Sequence, residues 1–269
     1  MGWPVAHSLS PRLHGYWLGR YGIDGAYVPL AVDPAAFDAA VRGLAPLGFR
    51  GANVTVPHKE AAFAAMDSLS ETAKRLRAVN TIVVADGRLH GDNTDGFGFL
   101  ENLSAGAPGL DIRGRAVTVL GAGGAARAVV AALTDAGAEK VRIVNRTAAR
   151  TDALAADLGG PIAAFGWRDT AAALGGAALV VNTTSLGMAG QPPLELDLDH
   201  LPADAVVTDI VYSPLETPLL AAARARGNAV VDGLGMLLHQ ARPGFEAWFG
   251  RAPEVTPELR AHVLAEIGS

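Results

Sequence analysis

The chain has 269 residues and a formal charge of −5, with 22 Lys and Arg against 27 Asp and Glu; half its residues are hydrophobic and 18% are charged. That balance predicts a buried core of one large or two ordinary domains, and it argues against disorder and against a nucleic-acid partner. The lack of cysteine excludes disulfides and thiolate metal sites and leads us to expect a reducing cytoplasm. The opening MGWPVAHS has neither the basic nor the apolar region of a secretory signal. The most apolar stretch, residues 116–133, holds Arg127 and a glycine cluster, so no membrane span is expected. The chain has no Gly-Lys-Ser/Thr, no HExxH, and no tyrosine followed four residues later by lysine. A P-loop, a zincin helix and a Tyr-x-x-x-Lys dehydrogenase are therefore excluded.

In chain order, HSLSP places Ser8 and Ser10 two residues apart before an expected helix, where the ordinary role of such hydroxyls is capping. Residues 26–30 (AYVPL) predict a strand and 34–44 a helix. Residues 52–56 predict a second strand inside NVTVPHK. Asn53 and Thr55 share a face there, Pro57 stops the strand, and Lys59 follows. Lysine is scarce, with Lys59, Lys74 and Lys140 the only ones, and a lysine at a strand end can bind a hydroxyl or relay a proton. Its bland alternative is a surface ammonium.

A helix is expected over 60–66, and Ser68-Leu-Ser-Glu71 reads as a capping box opening another. AVNT puts Asn80 before a strand at 81–84. GDNTDG puts Asp95 at the start of a helix over 93–103, where it can serve the macrodipole or close an Asx turn. Residues 104–109 read as a linker. The seven histidines show no ligand spacing, and no metal is expected.

Beyond the linker, apolar runs at 116–120, 141–145, 178–182, 206–210 and 229–232 alternate with alanine-rich helical stretches. Continuous apolar strands between helices predict a doubly wound parallel sheet, so the whole is α/β in two domains. After the first run comes Gly121-Ala122-Gly123-Gly124-Ala125-Ala126, a dinucleotide fingerprint with alanine in the third glycine position, between a strand and a helix as the fold requires. The second run ends Asn145-Arg146-Thr147, with Arg150 beyond. It lacks the carboxylate that would hold a ribose 2′-hydroxyl, and its guanidiniums suit a 2′-phosphate, so NADP is expected over NAD. A solvated helix start is the alternative.

These segments, with NTTSLGM, DIVYSP and DGLGMLLHQA in the same order, resemble the shikimate dehydrogenase family across nearly the whole chain. The resemblance implies a substrate and catalytic domain at 1–103, an NADP-binding Rossmann domain at 104–235, and terminal helices at 236–269 packing back on the first. It implies shikimate and 3-dehydroshikimate as the small-molecule partners, with no nucleic acid and no membrane. Ser8 and Ser10 match carboxylate-binding hydroxyls. Thr55, Lys59, Asn80, Asp95, Tyr212 and Gln240 match further substrate contacts, with Lys59 and Asp95 the catalytic pair. Gly121, Ala122, Gly123, Gly124, Ala125, Asn145, Arg146, Thr147 and Arg150 match cofactor segments; Ile210 and Gly233 flank the nicotinamide side. Glu71 aligns with a cofactor-linked position, against its capping-box reading.

Two departures stand out. Only six residues precede His7 where the family has a full strand, so either the start given is too late or an edge strand is short, and Gly15 replaces the usual asparagine. The nearest rival is a quinate/shikimate dehydrogenase. A methylenetetrahydrofolate dehydrogenase would not need HSLSP and GDNTDG together, and a non-catalytic NADPH-binding regulator would not need Lys59 and Asp95. The oligomeric state is not legible, a homodimer being the candidate assembly.

Overall fold

In a computed structural model of the chain, residues 1–267 are described. Two compact units emerge, one of Met1–Asp95 joined by the segment from Leu237 onward, the other of Gly96–Met236. The first break lies nearer the N-terminus than the composition shift at 104–109 implies. Past Asp95 the helix sends Phe99 and Leu103 into the apolar core of the second unit.

The first unit runs α1 (Ser10–Tyr21), α2 (Phe37–Arg42), β1 (Gly51–Asn53), α3 (Lys59–Ala65), β2 (Ser68–Leu69), α4 (Glu71–Leu76), β3 (Thr81–Ala85) and β4 (Arg88–Asp92). A mixed sheet has the order β1-β3-β4-β2, with β2 parallel to β4 and the other pairs antiparallel. Val32, Phe37, Val41, Leu44, Val54 and Ile82 form part of its core.

Three expectations are corrected here. Residues 26–30 form no strand; Pro29 has no N–H to give a ladder, and only Ala31 makes a bridge, to Gly2. The N-terminal segment is short but is not an edge. Gly2 N–H donates to Leu30 O (3.2 Å) and Gly2 O accepts from Val32 (3.0 Å) on one side, while Met1 O accepts from Thr55 (3.0 Å) on the other. No capping box forms, and the helix cap lies two residues further on. Ser68 and Leu69 pair with β4 as a strand, and Ser70 is the N-cap, accepting from Ala73 N–H (3.1 Å). Glu71 is then the first helical residue and pairs with exposed Lys74 (2.6 Å).

The second unit carries the rest of α5 (Asp95–Gly106), which takes in the opening residues of the expected linker. It continues through β5 (Ala116–Leu120), α6 (Gly124–Asp135), β6 (Lys140–Asn145), α7 (Ala148–Leu158), β7 (Ile162–Gly166), α8 (Thr170–Leu174), β8 (Ala177–Asn182), β9 (Val206–Asp209), α9 (Pro218–Ala225) and β10 (Ala229–Val231). All six strands are parallel, in the order β10-β9-β8-β5-β6-β7. The order reverses at β5/β8, the switch point beyond which open sheets of this kind bind ligands. Sequence reading missed β7, whose IAAFG has one β-branched residue and no flanking alternation.

Helix α10 (Leu234–Phe249) leads into α11 (Pro257–Ile267). Within the first unit, Trp248 Nε1 donates to Ile82 O (2.9 Å), and Trp17 Nε1 donates to Glu254 O (2.9 Å), so the C-terminal helices lie on β3 and α1. His14 is sealed among these rings, stacked on Tyr27 at 4.0 Å and near Trp17, Phe245 and Trp248. Burial lowers its pKa to about 3, partly opposed by the Asn53 side chain.

The unfolded chain protonates His14 near its ordinary 6.5, whereas the folded state holds it neutral far lower. The unfolded state thus binds more protons below 6.5, and this part of the stability is full above that value and lost as pH falls toward 3. Between pH 6.5 and 5 the loss from this one group is about 2 kcal/mol. Urea midpoints for His14→Phe are therefore expected to fall less over that interval than those of the parent chain.

Candidate active site

In the first unit three of the expected residues, Lys59, Asp95 and Gln240, gather around Asn80, which is 2% exposed. Lys59 opens α3, with its backbone O accepting from Val79 N–H (2.9 Å), so the start of the helix is tied to the segment just before Asn80. Lys59 Nζ lies 2.5 Å from Asp95 Oδ2, with side-chain exposures of 23% and 10%. Asn80 Nδ2 donates to the other carboxylate oxygen, Asp95 Oδ1, at 2.7 Å. The amide cannot be turned around. Asn80 Oδ1 accepts from the backbone N–H of Thr94 (2.9 Å), a group that can only donate. Asp95 N–H in turn donates to Asn93 Oδ1 (3.1 Å), so the Asx turn read from GDNTDG is present. The turn and the charge pair use the same aspartate.

From Asn80 the hydrogen bonds continue outward. Thr81 Oγ1 donates to Asn80 Oδ1 (2.9 Å), Asn53 Nδ2 to Thr81 Oγ1 (3.2 Å), and Tyr27 Oη to Asn53 Oδ1 (2.8 Å). Burial pushes the Tyr27 phenol up, and a hydrogen bond from Ser10 pulls it back. Gln240, on α10, offers Oε1 to Asn80 Nδ2 at 3.4 Å, and its backbone O accepts from Thr94 Oγ1 (2.8 Å). Ser8 and Ser10 are half-buried, and the N-cap of α1 is Leu9, with no side-chain cap. Ser8 Oγ accepts only a loose 3.3 Å bond from Ser10 N–H, so the two hydroxyls are not spent on capping. Thr55 is exposed, two residues after the end of β1. Tyr27, Asn53, Thr81 and Thr94 were not singled out as site residues from sequence; Asn53, Thr81 and Thr94 carried a signal only through the NVTVPHK, AVNT and GDNTDG motifs.

In the second unit the strand ends form a different kind of site. Gly121 has φ +106°, and a Cβ there would lie 2.8 Å from Thr183 Oγ1, so only glycine makes this turn without strain. Gly123 and Gly124 face open space, Ala122 and Ala125 are half-buried beside them, and Ala126 is fully buried against the core. The N-cap of α6 is Gly123, with no side-chain cap, which leaves the first-turn amides to an anion. Beyond β6, Asn145 closes a turn by donating to Thr147 O (3.1 Å), and Arg146, Thr147 and Arg150 are exposed with no acidic residue among 145–150. Arg127 is instead held by Asp157 (2.6 Å). These residues fit a dinucleotide with a 2′-phosphate. Ile210 follows β9, and Gly233 packs directly on the Ile210 and Val211 carbonyls, too close for any side chain. Tyr212 is half-buried in this unit, its phenol pushed up by burial. Glu71 lies in the first unit, exposed, paired with Lys74. Among the described residues no group of three His, Cys, Asp or Glu side chains could hold a metal, and no helix is long and apolar enough to cross a membrane.

Family models match as "Shikimate dehydrogenase substrate binding domain" over residues 1–82, "Shikimate / quinate 5-dehydrogenase" over 105–188 and "Shikimate 5'-dehydrogenase C-terminal domain" over 233–257. A shikimate dehydrogenase (NADP(+)) of Rhodospirillum rubrum is 63% identical over 271 residues, covering 99% of this chain and 96% of its own. The quinate dehydrogenase of Corynebacterium glutamicum in complex with NAD superposes with a TM-score of 0.91 at 32% identity, covering 98% of this chain and 96% of that one. The shikimate 5-dehydrogenase of Thermus thermophilus in complex with NADP(H) and shikimate gives 0.88 at 39% identity, covering 98% and 97%.

The two glycines of the turn should separate in their effects. Gly121→Ala is expected to lose about 1–3 kcal/mol of stability, through strain and the clash with Thr183. Gly123→Ala meets nothing and should unfold at nearly the parent urea midpoint. Equal midpoints for the two variants would contradict the packing described.

Proposed function

The chain belongs to the shikimate dehydrogenase family, and from that membership we propose which of its residues carry each part of the reaction. The reaction is the reversible, NADPH-dependent reduction of 3-dehydroshikimate to shikimate, oxidoreduction at a CH–OH group in the shikimate pathway. NADPH, when bound, supplies the hydride to the C3 carbonyl carbon. The chain must then hold the substrate, stabilise negative charge on the carbonyl oxygen and deliver a proton to it.

Lys59 is the group suited to that oxygen, because its ammonium combines a charge with a transferable proton. The observation that carries this reading is the Lys59–Asp95 pair, fixed from behind by Asn80. Asp95 holds the lysine in place and keeps a hydrogen-bond acceptor beside it for the hydroxyl at the reacting carbon. Ser8 and Ser10 bind the substrate carboxylate as neutral donors, which leaves Lys59 without a competing cation. Thr55, Asn80, Gln240 and Tyr212 take the remaining hydroxyls. The uncapped start of α6, with the segment 121–125, holds the pyrophosphate, and Asn145, Arg146, Thr147 and Arg150 hold the 2′-phosphate. Ile210 and Gly233 flank the nicotinamide. Exposed and already paired with Lys74, Glu71 has the weakest support for a cofactor role. The absence of cysteine from the whole chain supports work in the cytoplasm, and a homodimer is the assembly to test by light scattering.

Lys59→Ala is expected to lower kcat by roughly 10²- to 10⁴-fold with little change in NADP affinity, read from steady-state rates and a cofactor titration. Near-normal turnover would remove Lys59 from the chemistry. Likeness to a quinate dehydrogenase bound to NAD makes the companion test a matrix of shikimate and quinate against NADP and NAD. Shikimate with NADP should be the best pair. Arg146→Ala should weaken NADP by about 1.5–3 kcal/mol and leave NAD nearly unchanged. Equal losses for both cofactors would contradict a 2′-phosphate role.

A further inference from the structure

The second unit buries a carboxylate that the reaction, as described, does not use. Asp209 ends β9 and is wholly inaccessible to solvent. Its Oδ1 accepts from Val211 N–H (3.0 Å) and from Asn182 Nδ2 (3.0 Å), and its Oδ2 accepts from the Thr217 hydroxyl (2.8 Å). Burial pushes its pKa up, and these three donors pull it back. A buried charge is costly unless its lone pairs are satisfied, so a set of donors this complete at a strand end calls for an explanation.

Val211 and Thr217 are the two ends of one loop, and Tyr212 lies on it. Thr217 is also the N-cap of α9, accepting from Leu220 N–H (3.4 Å). Its proton goes to Asp209 and a lone pair to the helix, so the far end of the loop is fixed to both. Asn182 carries the tie to the neighbouring strand end. It accepts from Thr184 N–H (3.0 Å) and Thr184 Oγ1 (2.7 Å), and Ala189 N–H donates to Ser213 O (2.8 Å) on the Tyr212 loop. Within the described residues Tyr212 makes no hydrogen bond of its own, so its place is set by the loop backbone and by packing.

We propose that Asp209 and Thr217 are positioning residues for substrate, clamping both ends of the 211–217 loop so that Tyr212 is presented in one geometry. The inference rests on the reading of Tyr212 as a substrate contact. A cap for α9 alone would explain the Thr217 hydroxyl, but not a carboxylate that also grips Val211, next to Tyr212.

Thr217→Val keeps the shape and removes the hydroxyl. It should raise KM for shikimate about 3- to 10-fold, the scale of one lost hydrogen bond, with KM for NADP within about twofold. Thr217→Ser should restore the parent value. Should the valine variant not fold, Asp209→Asn keeps the acceptor for Val211 and Asn182 but replaces the charged acceptor facing Thr217 by an amide that can only donate to it, and a smaller rise in shikimate KM in the same direction is expected. Tyr212→Phe provides the reference. It should raise shikimate KM by itself, and adding Thr217→Val to it should raise KM no further, because the clamp acts through the tyrosine. A normal KM in Tyr212→Phe would show that the substrate-contact reading fails, and the inference with it. A sensitive Tyr212 with insensitive Thr217 and Asp209, or a valine effect undiminished in the double variant, would overturn the clamp alone. A lower Tm with unchanged shikimate KM would leave only a helix cap.

Discussion

One amide decides how the Lys59–Asp95 pair is held. The Thr94 backbone N–H can only donate, so it takes the Asn80 oxygen and turns the Asn80 amino group toward Asp95. With Oδ1 of Asp95 occupied in that way, Oδ2 is left for Lys59. Every member of the arrangement comes from a short element end: Lys59 from the start of α3, Asn80 from just before β3, Asp95 from the start of α5. Such ends have unpaired backbone groups to spare, which suits them to fix side chains in a site that must still meet a ligand.

In the second unit the polar residues lie where the strands stop. The strands themselves are apolar and mostly buried, as parallel strands covered by helices must be. Asn182 and Asp209 are the last residues of β8 and β9, and both are fully buried. Their hydrogen bonds replace the sheet ladder at the point where it ends. Thr183 continues the pattern, donating to Leu120 O (2.7 Å) against the Gly121 turn. Loops fixed in this manner keep a defined shape without being buried in apolar surroundings.

How much of this was legible in the sequence varied with the range of the forces involved. The parallel sheet could be read because most of its strands are apolar runs with helices between several of them, and only the weakly patterned β7 escaped. The glycine turn was legible because φ at Gly121 admits no other residue without strain. The first unit was harder. The N-terminal segment finds partners on both sides that lie about thirty and fifty residues away, and no local pattern announces such pairing. Ser68 looked like a cap because Glu71 stands three residues on, but pairing with β4 claimed it, and Ser70 took the role. Lys59 and Asp95 were visible as residue types in telling places. Of the groups behind them, Asn53 and Thr81 stood only inside motifs and Tyr27 not at all, since their roles exist only once three distant segments meet.

The orientation of Asn80 also governs how the molecule would age chemically. Hydrolysis of a single side-chain amide there would change the mass by about one dalton and exchange a donor for an acceptor. Two carboxylates would then stand at 2.7 Å, a distance that ordinarily forces a pair to share one proton. Asp95 would compete with its new neighbour for Lys59, and the lysine's charge would no longer be directed at a single partner. The change lies beneath the surface, in a residue that is 2% exposed, so it would leave the outer charge pattern of the protein almost untouched. A stored sample would therefore lose the Lys59–Asp95 geometry while its exterior remained nearly the same, and intact-mass spectrometry would detect the change.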